Sequence, residues 1–374
     1  MSTAYDAELS AMLMEQAQRL FKQVVSPQEL ISADQGMWPA QLWQQIEQSG
    51  FADALVAQDQ GGSGLLARDA LRLARLAAYH ALPLPLGETM LARALWAHAG
   101  GAVDAHANQP LSLALASSGD APRLRVHTSG TAPSFVLSGS APRVPWARQV
   151  GTVLVFARDA HGAGHFVLVP TTGLRTEARL NLANEARDTV YFDDLAVSAQ
   201  SVRPATGQAA AAGFAHHGAL LRAHQMVGAM ERCLDFALAY ANDRVQFGRA
   251  IARFPAVQTM LVQAASQSAA AAACAELAAE HWESALGLGQ HEAFEMTVAM
   301  AKARSGEAAG QVAALCHQVH AAIGFTQEHQ LHYFTRRLWS WRDEFGSDAY
   351  WQQDIGNKVC AMGGAALWPM LTHL

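Results

Sequence analysis

The chain has 374 residues, 51% of them hydrophobic, 16% charged, with a formal net charge of −6. That length predicts two or three sub-domains sharing a core, and a charged fraction below the usual quarter points to much buried or subunit-covered surface. A mild negative charge without a basic stripe excludes a nucleic-acid-binding surface. No apolar run reaches the ~18 residues that a membrane span needs.

Met1 to Glu8 shows no basic segment followed by an apolar run, so no secretion signal is expected. Cys233, Cys274, Cys316 and Cys360 are scattered, show no CxxC spacing and each sits in an apolar helical pattern. Buried, reduced thiols in a cytoplasmic protein are the expectation.

Residues 1–108 read as an N-terminal helical domain. Leu9, Met12, Ala17, Leu20 and Phe21 recur at helical spacing. Trp38 to Phe51 predicts a second helix, Leu65 to Ala81 a third with Leu71, Leu73, Leu76 and Ala77 as its stripe, and Gly87 to Ala99 a fourth after Pro83 and Pro85. Gly61-Gly62-Ser63-Gly64 reads as a turn: no strand precedes it and no lysine follows, as a phosphate loop would require.

Residues 109–206 read as a middle β domain. Ser112–Ala116, Phe135–Ser138, Thr152–Ala157, Phe166–Val169 and Asp188–Val197 are short and rich in β-branched and large apolar residues. Asp159 to Gly164 is the loop of a hairpin. Residues 207–374 then return to helix, as a four-helix-bundle-like domain. Leu220, Ala223, Val227, Met230, Leu234 and Leu238 form an apolar stripe, and Pro255 suits the first turn of the next helix. The alanine-rich stretch Ala264–Ala279 lets helix backbones approach closely. The fold class is α+β, mostly α.

Two segments carry more than fold. One reads Arg244-Val-Gln246-Phe247-Gly248-Arg-Ala-Ile251-Ala-Arg-Phe254. The other reads Gln318-Val319-His-Ala321-Ala322-Ile-Gly324-Phe325-Thr-Gln-Glu328. In order and separation they resemble the acyl-CoA dehydrogenase family, as do Gly61–Leu65 and Thr189–Val197. The resemblance implies FAD-dependent desaturation of an acyl-CoA thioester, in β-oxidation of a fatty acid or a side chain. It also implies a homo- or hetero-oligomer with another chain of the family, and an electron-transfer flavoprotein as acceptor.

By the same resemblance Arg244, Gln246, Phe247, Gln318, Val319, Ala322 and Ser347 bind the cofactor, most of them reaching a flavin held in a neighbouring subunit. A planar guanidinium suits the pyrophosphate, and three-residue spacing would put Phe247 on the face of Arg244 if the helix continued. Gln318 offers an amide to an adenine edge or a phosphate. Where the family has two glycines, this chain has Ala321 and Ala322.

The chemistry needs a carboxylate against the α-carbon. The family's usual position for it falls on Phe345, followed by Gly346 and Ser347, and a minority position falls on Gly218. Neither is a carboxylate, so the catalytic residue stays unassigned. Glu344 is adjacent, about 100° away on a helix, and Asp343 and Glu328 read as surface carboxylates. The family's threonine beside the flavin falls on Pro145, which has no side-chain donor and no N–H, and its flavin-lining loop is not recognisable near Ser117–Asp120. Three readings stay open: a subunit of a heteromeric enzyme lacking its own base, a homo-oligomer with Glu344 as a displaced base, and a non-catalytic scaffold. His317/His320 and His329/His332 have a spacing that zinc uses, but no accompanying motif, and no metal is expected. The acyl group is not encoded in any motif; Gly213, Gly218 and Ala219 suggest room for a bulky one.

Overall fold

The computed structural model describes residues 2–103, 108–114, 122–127, 134–205, 215–282 and 291–372. Helix α1 (Ser2–Val24) sends Ala17 and Phe21 into the interior. Helix α2 (Pro27–Asp34) opens on Ser26, whose hydroxyl accepts the Glu29 N–H, and on Pro27 at a position where the missing N–H costs nothing. Helix α3 (Ala40–Gln48) is shorter than the sequence suggests, because Pro39 takes its cap and Gly50, at φ +75°, turns the chain away before Phe51. Gly61 and Gly64 have positive φ in the turn before α4 (Ala67–Tyr79). Helix α5 (Leu86–His98) is buried at every residue from Leu86 to Ala97, the signature of a helix surrounded by other elements.

The middle of the chain is an eight-stranded sheet. Its strands are β1 (Leu111–Ala114), β2 (Arg123–His127), β3 (Ser134–Pro145), β4 (Thr152–Arg158), β5 (Gly164–Pro170), β6 (Arg175–Glu177), β7 (Arg187–Val197) and β8 (Val202–Pro204). The order is β6-β7-β3-β2-β4-β5-β8, with β1 parallel to β4. The β4–β5 hairpin is as expected, its loop fixed by Asp159, whose carboxylate accepts from the N–H groups of His161 and Ala163. Strand β3 runs well past the expected Ser138 because register shifts after Leu137 and Ala141 let it bend along β7. Strands β2, β6 and β8 carry polar or short patterns that the sequence did not betray. Leu115, Ala116 and the Ser117–Asp120 loop lie outside the described residues, as do Gly207 and Gly213.

The last part is a helical bundle: α6 (Ala215–Asp243), α7 (Pro255–Glu280), α8 (His291–His320), α9 (Leu331–Trp341), α10 (Asp348–Met362) and α11 (Leu367–Thr372). Between α6 and α7 stands a two-stranded ribbon, β9 (Val245–Gln246) and β10 (Arg249–Ala250). Ala264, Ala271, Ala275, Ala278 and Ala279 of α7 are buried, so the small residues do serve close helix contact. Helix α6 approaches α4 so tightly that a Cβ at Gly228 would lie 1.9 Å from the Arg75 carbonyl oxygen. N-terminal and C-terminal helices share one core, while the sheet has a second core of its own. Cys233 and Cys316 are buried, but Cys274 is half-buried and Cys360 exposed, which corrects the expectation that all four are interior. Cys360 lies on the outer side of α10, whose only fully buried residue is Trp351. No described helix is long and apolar enough to cross a membrane.

Candidate functional site

Three sub-domains meet at a cavity of about 20 Å³, lined among others by Glu88 of α5, Trp146 just after β3, Arg187 of β7, Glu185, Arg222 of α6 and Trp341 of α9. That is room for about one water. Around it runs a buried ionic network. The Glu344 carboxylate accepts from Arg187 Nε and Arg222 Nε, each at 2.7 Å. Arg222 also donates to Glu88 at 2.6 Å and to Gln225. Arg187 and Arg337 each donate to Glu185 at 2.9 Å, and the Trp341 indole N–H adds a bond of 3.1 Å. Three guanidiniums thus face three carboxylates, so the cluster is neutral. Burial alone would raise the Glu344 pKa, but Arg187 and Arg222 outweigh it and hold the carboxyl below the usual range. Glu185 is likewise pulled down, to about 2, against its burial, by Arg187 and Arg337.

Glu344 is therefore an ion-pair partner and not a free base. A carboxylate bound by two guanidiniums has little basicity to offer. The sequence pointed to it only by adjacency. The two family positions for a base do meet in space: a Cβ on Gly218 would lie 2.3 Å from the Phe345 ring. The phenyl ring thus packs on the glycine. Phe345 has φ +56°, a conformation that costs a bulky residue about 1–3 kcal/mol and persists only where its surroundings dictate it.

The outward-reaching residues tell a different story. Arg244 does not share a helix face with Phe247, because α6 ends at Asp243 and the ribbon follows. The Arg244 backbone is fixed at both ends, its N–H donating to Tyr240 O and its carbonyl accepting from Ile251 N–H. Phe247 and Gly248, at φ +49° and +77°, form the two-residue tip, a turn that normally takes Asn-Gly. The Phe247 side chain stands 92% exposed, braced at its edge by Phe254. Arg244, Gln246, Gln318 and Ala322 are exposed too, and Arg244 has no ion pair among the described residues. Tyr240 stacks on His320 at 4.9 Å, which places the ribbon and the Gln318 segment at the same end of the bundle. Val319 is 5% exposed, and its side chain packs in the core. The Ser347 hydroxyl caps α10 by accepting the Tyr350 N–H. Ala321 keeps φ +54°, the conformation that glycine would take without strain.

His317 and His320 are buried, and each makes one bond, to Thr335 Oγ1 and to the Cys316 carbonyl, leaving the second nitrogen without a partner. Burial lowers both pKa values. Among the described residues no group of three or more side chains could hold a metal ion.

For a dinucleotide the fit is split. Arg244, Gln246, Phe247, Gln318 and Ala322 fit one that is held mainly by another chain. At the inner end Phe345 covers Gly218 and Pro145 offers no side-chain donor, and the neighbouring cavity has room for about one water.

The family model for the acyl-CoA dehydrogenase C-terminal domain matches residues 205–359. The glutaryl-CoA dehydrogenase of Desulfococcus multivorans is 30% identical over 214 residues, about half of each protein (54% of this chain and 54% of that one). The acyl-CoA dehydrogenase IpdE2 of Mycobacterium tuberculosis is 26% identical over 321 residues, 82% of each. Among solved structures, the ChsE4–ChsE5 complex of Mycobacterium tuberculosis superposes with a TM-score of 0.79 at 19% identity, covering 96% of this chain and 98% of the other, a likeness of fold. Members of this family are FAD-dependent flavoproteins. The chain is thus similar to acyl-CoA dehydrogenases through the C-terminal-domain match at residues 205–359, through relatives at 26–30% identity, and through a likeness of fold over nearly all its length.

Proposed function

We propose that this chain is one subunit of a heteromeric acyl-CoA dehydrogenase, an oxidoreductase that introduces an α,β double bond into an acyl-CoA thioester. A related chain supplies the glutamate base and the open acyl site, and this chain supplies the far wall of the flavin site. When bound, a flavin provides the hydride acceptor for that desaturation. The residues here would hold its dinucleotide end: Arg244 on the pyrophosphate, Phe247 against a flat ring, Gln318 on an adenine edge or phosphate, with Gln246 and Ala322 beside them.

The observation that carries this reading is the packing of the Phe345 ring on Gly218, the two positions at which the resemblance places a base. A chain that fills its own base position while holding an arginine with no ion pair among the described residues, and a strained, exposed phenylalanine, suits work on a neighbour's site. A solved relative in fold is itself a complex of two chains, ChsE4 with ChsE5, which supports the arrangement. The clamped state of Glu344 argues against a homo-oligomer with that residue as base. Four free thiols suit a reducing compartment such as the cytoplasm, and the acceptor that the family implies is an electron-transfer flavoprotein.

The test is co-expression with a family chain that carries the glutamate, followed by dye reduction with acyl-CoA. Activity is expected for the pair and not for this chain alone. An Arg244→Ala variant should fold as stably as the wild type, within ~0.5 kcal/mol for a surface change, yet lower flavin retention in the pair. Full activity of the isolated chain would defeat the proposal.

A further inference from the structure

We infer that residues 342–347 form a gate over Gly218 and the Arg187 and Arg222 guanidiniums, and that Lys302, a residue of α8 outside the ionic network, is the positioning residue that holds the gate shut. Lys302 is fully buried. Its Nζ donates to the carbonyls of Arg342 at 2.7 Å and Gly346 at 2.6 Å, the two ends of the turn that carries Glu344 and Phe345. The Trp351 indole N–H donates to the Phe345 carbonyl at 3.0 Å, so a third carbonyl of the turn is gripped from outside it. Two glycines continue the line of Lys302 along α8 at four-residue spacing. A Cβ at Gly306 would meet Asp348 at 3.1 Å, and one at Gly310 would meet Arg342 at 3.2 Å. Helix α8 thus offers a seat of two glycines with a cation at one end, and the turn sits in it, tied across by the Arg342–Asp348 pair at 2.9 Å.

The seat has work to do. Phe345 and Gly346 lie at φ +56° and +97°, and a phenylalanine does not stay there unaided. The same turn carries the ring that covers Gly218 and the carboxylate that joins Arg187 to Arg222. Lifting it would uncover the glycine wall and both guanidiniums at once. The inference rests on the docking of this turn within one chain, and it stands or falls independently of the heteromeric reading.

A closed gate leaves a mark on proton binding. Burial lowers the Lys302 pKa to about 7, against the pull of Glu344 and Asp343 from the turn and Asp348 from α10, and with a smaller push from Arg222 of α6. An open gate hydrates the amine and returns it toward its ordinary ~10.4. Between these values the open state binds more protons, so the opening constant falls about tenfold per pH unit as pH rises. Glu344, held below the carboxylate range, and Arg222, held above the guanidinium range, do not titrate there.

The experiment is hydrogen exchange of the Asp343 and Glu344 amides, bonded to the Ser340 and Trp341 carbonyls, in the full chain, corrected for intrinsic rates, from about pH 7 to about pH 9. In the wild type their protection should climb about tenfold per unit. Lys302→Met has no proton to lose and Lys302→Arg never loses one, so both should give a flat profile, with unchanged far-UV circular dichroism confirming the fold. Trp351→Phe should lower protection overall and keep the slope, since it loosens the turn without touching the amine. A flat wild-type profile, or a slope that persists in Lys302→Met, overturns the inference. The wild-type slope decides the matter should both Lys302 variants fail to fold.

Discussion

Glu344 shows how one residue's neighbours decide its chemistry. Adjacency in sequence made it the foremost candidate base, but two guanidiniums at 2.7 Å turn it into a structural anion. Glu344→Gln should therefore leave the activity of the co-expressed pair close to wild type. It should destabilise this chain by about 3–5 kcal/mol in denaturant, because it removes one of the three carboxylates that balance three buried guanidiniums. Glu185 gives the pH dependence. Its folded pKa of about 2 lies below the unfolded value of ~4.3, so its stabilisation is complete above ~4.3 and is lost as pH falls toward about 2. Stability measured across that window should fall more steeply in the wild type than in Glu185→Gln. Part of this was visible beforehand. Arg222 lies between Leu220 and Val227 in an apolar stripe, and a charge there needs a buried partner. Which partner it finds could not be read, since Glu88 is 134 residues away.

At the scale of elements, the ribbon at 245–250 and the turn at 342–347 both rest on aromatic residues with positive φ. The ribbon was partly legible: Gly248 marks a reversal and Pro255 the start of the next helix. That the reversal is a two-residue hairpin was hidden, because Phe-Gly is an unusual tip and the flanking strands have two residues each. The turn was legible only as two missing carboxylates. The contact that joins them crosses 127 residues of sequence, from Gly218 to Phe345. Gly218→Ala should cost about 1–3 kcal/mol through the clash with the ring. In a Phe345→Ala background the same change should be almost free, a coupling of about 0.5–3 kcal/mol in a double-mutant cycle. Additive losses would mean that the ring does not sit on the glycine.

At the scale of the molecule, the ionic network fastens three sub-domains to one another. Glu88 belongs to the N-terminal helices, Arg187 to the sheet, and Arg222, Arg337 and Glu344 to the bundle. The order of helices, sheet and helices was legible because hydrophobic periodicity changes from helical to alternating and back. Strands β2, β6 and β8 escaped notice because they are short or polar. The split of the site was legible in outline, since Arg244 and Gln318 keep the family pattern while Pro145 and Phe345 break it. What the sequence could not give is how the broken half is filled. On the proposed function, this chain serves a flavin housed in a different polypeptide. The direct measurement is the ratio of flavin to chains in a purified, co-expressed pair, with each chain quantified separately. One flavin per two chains, and none on this chain alone, is the predicted result; one flavin per chain would contradict it.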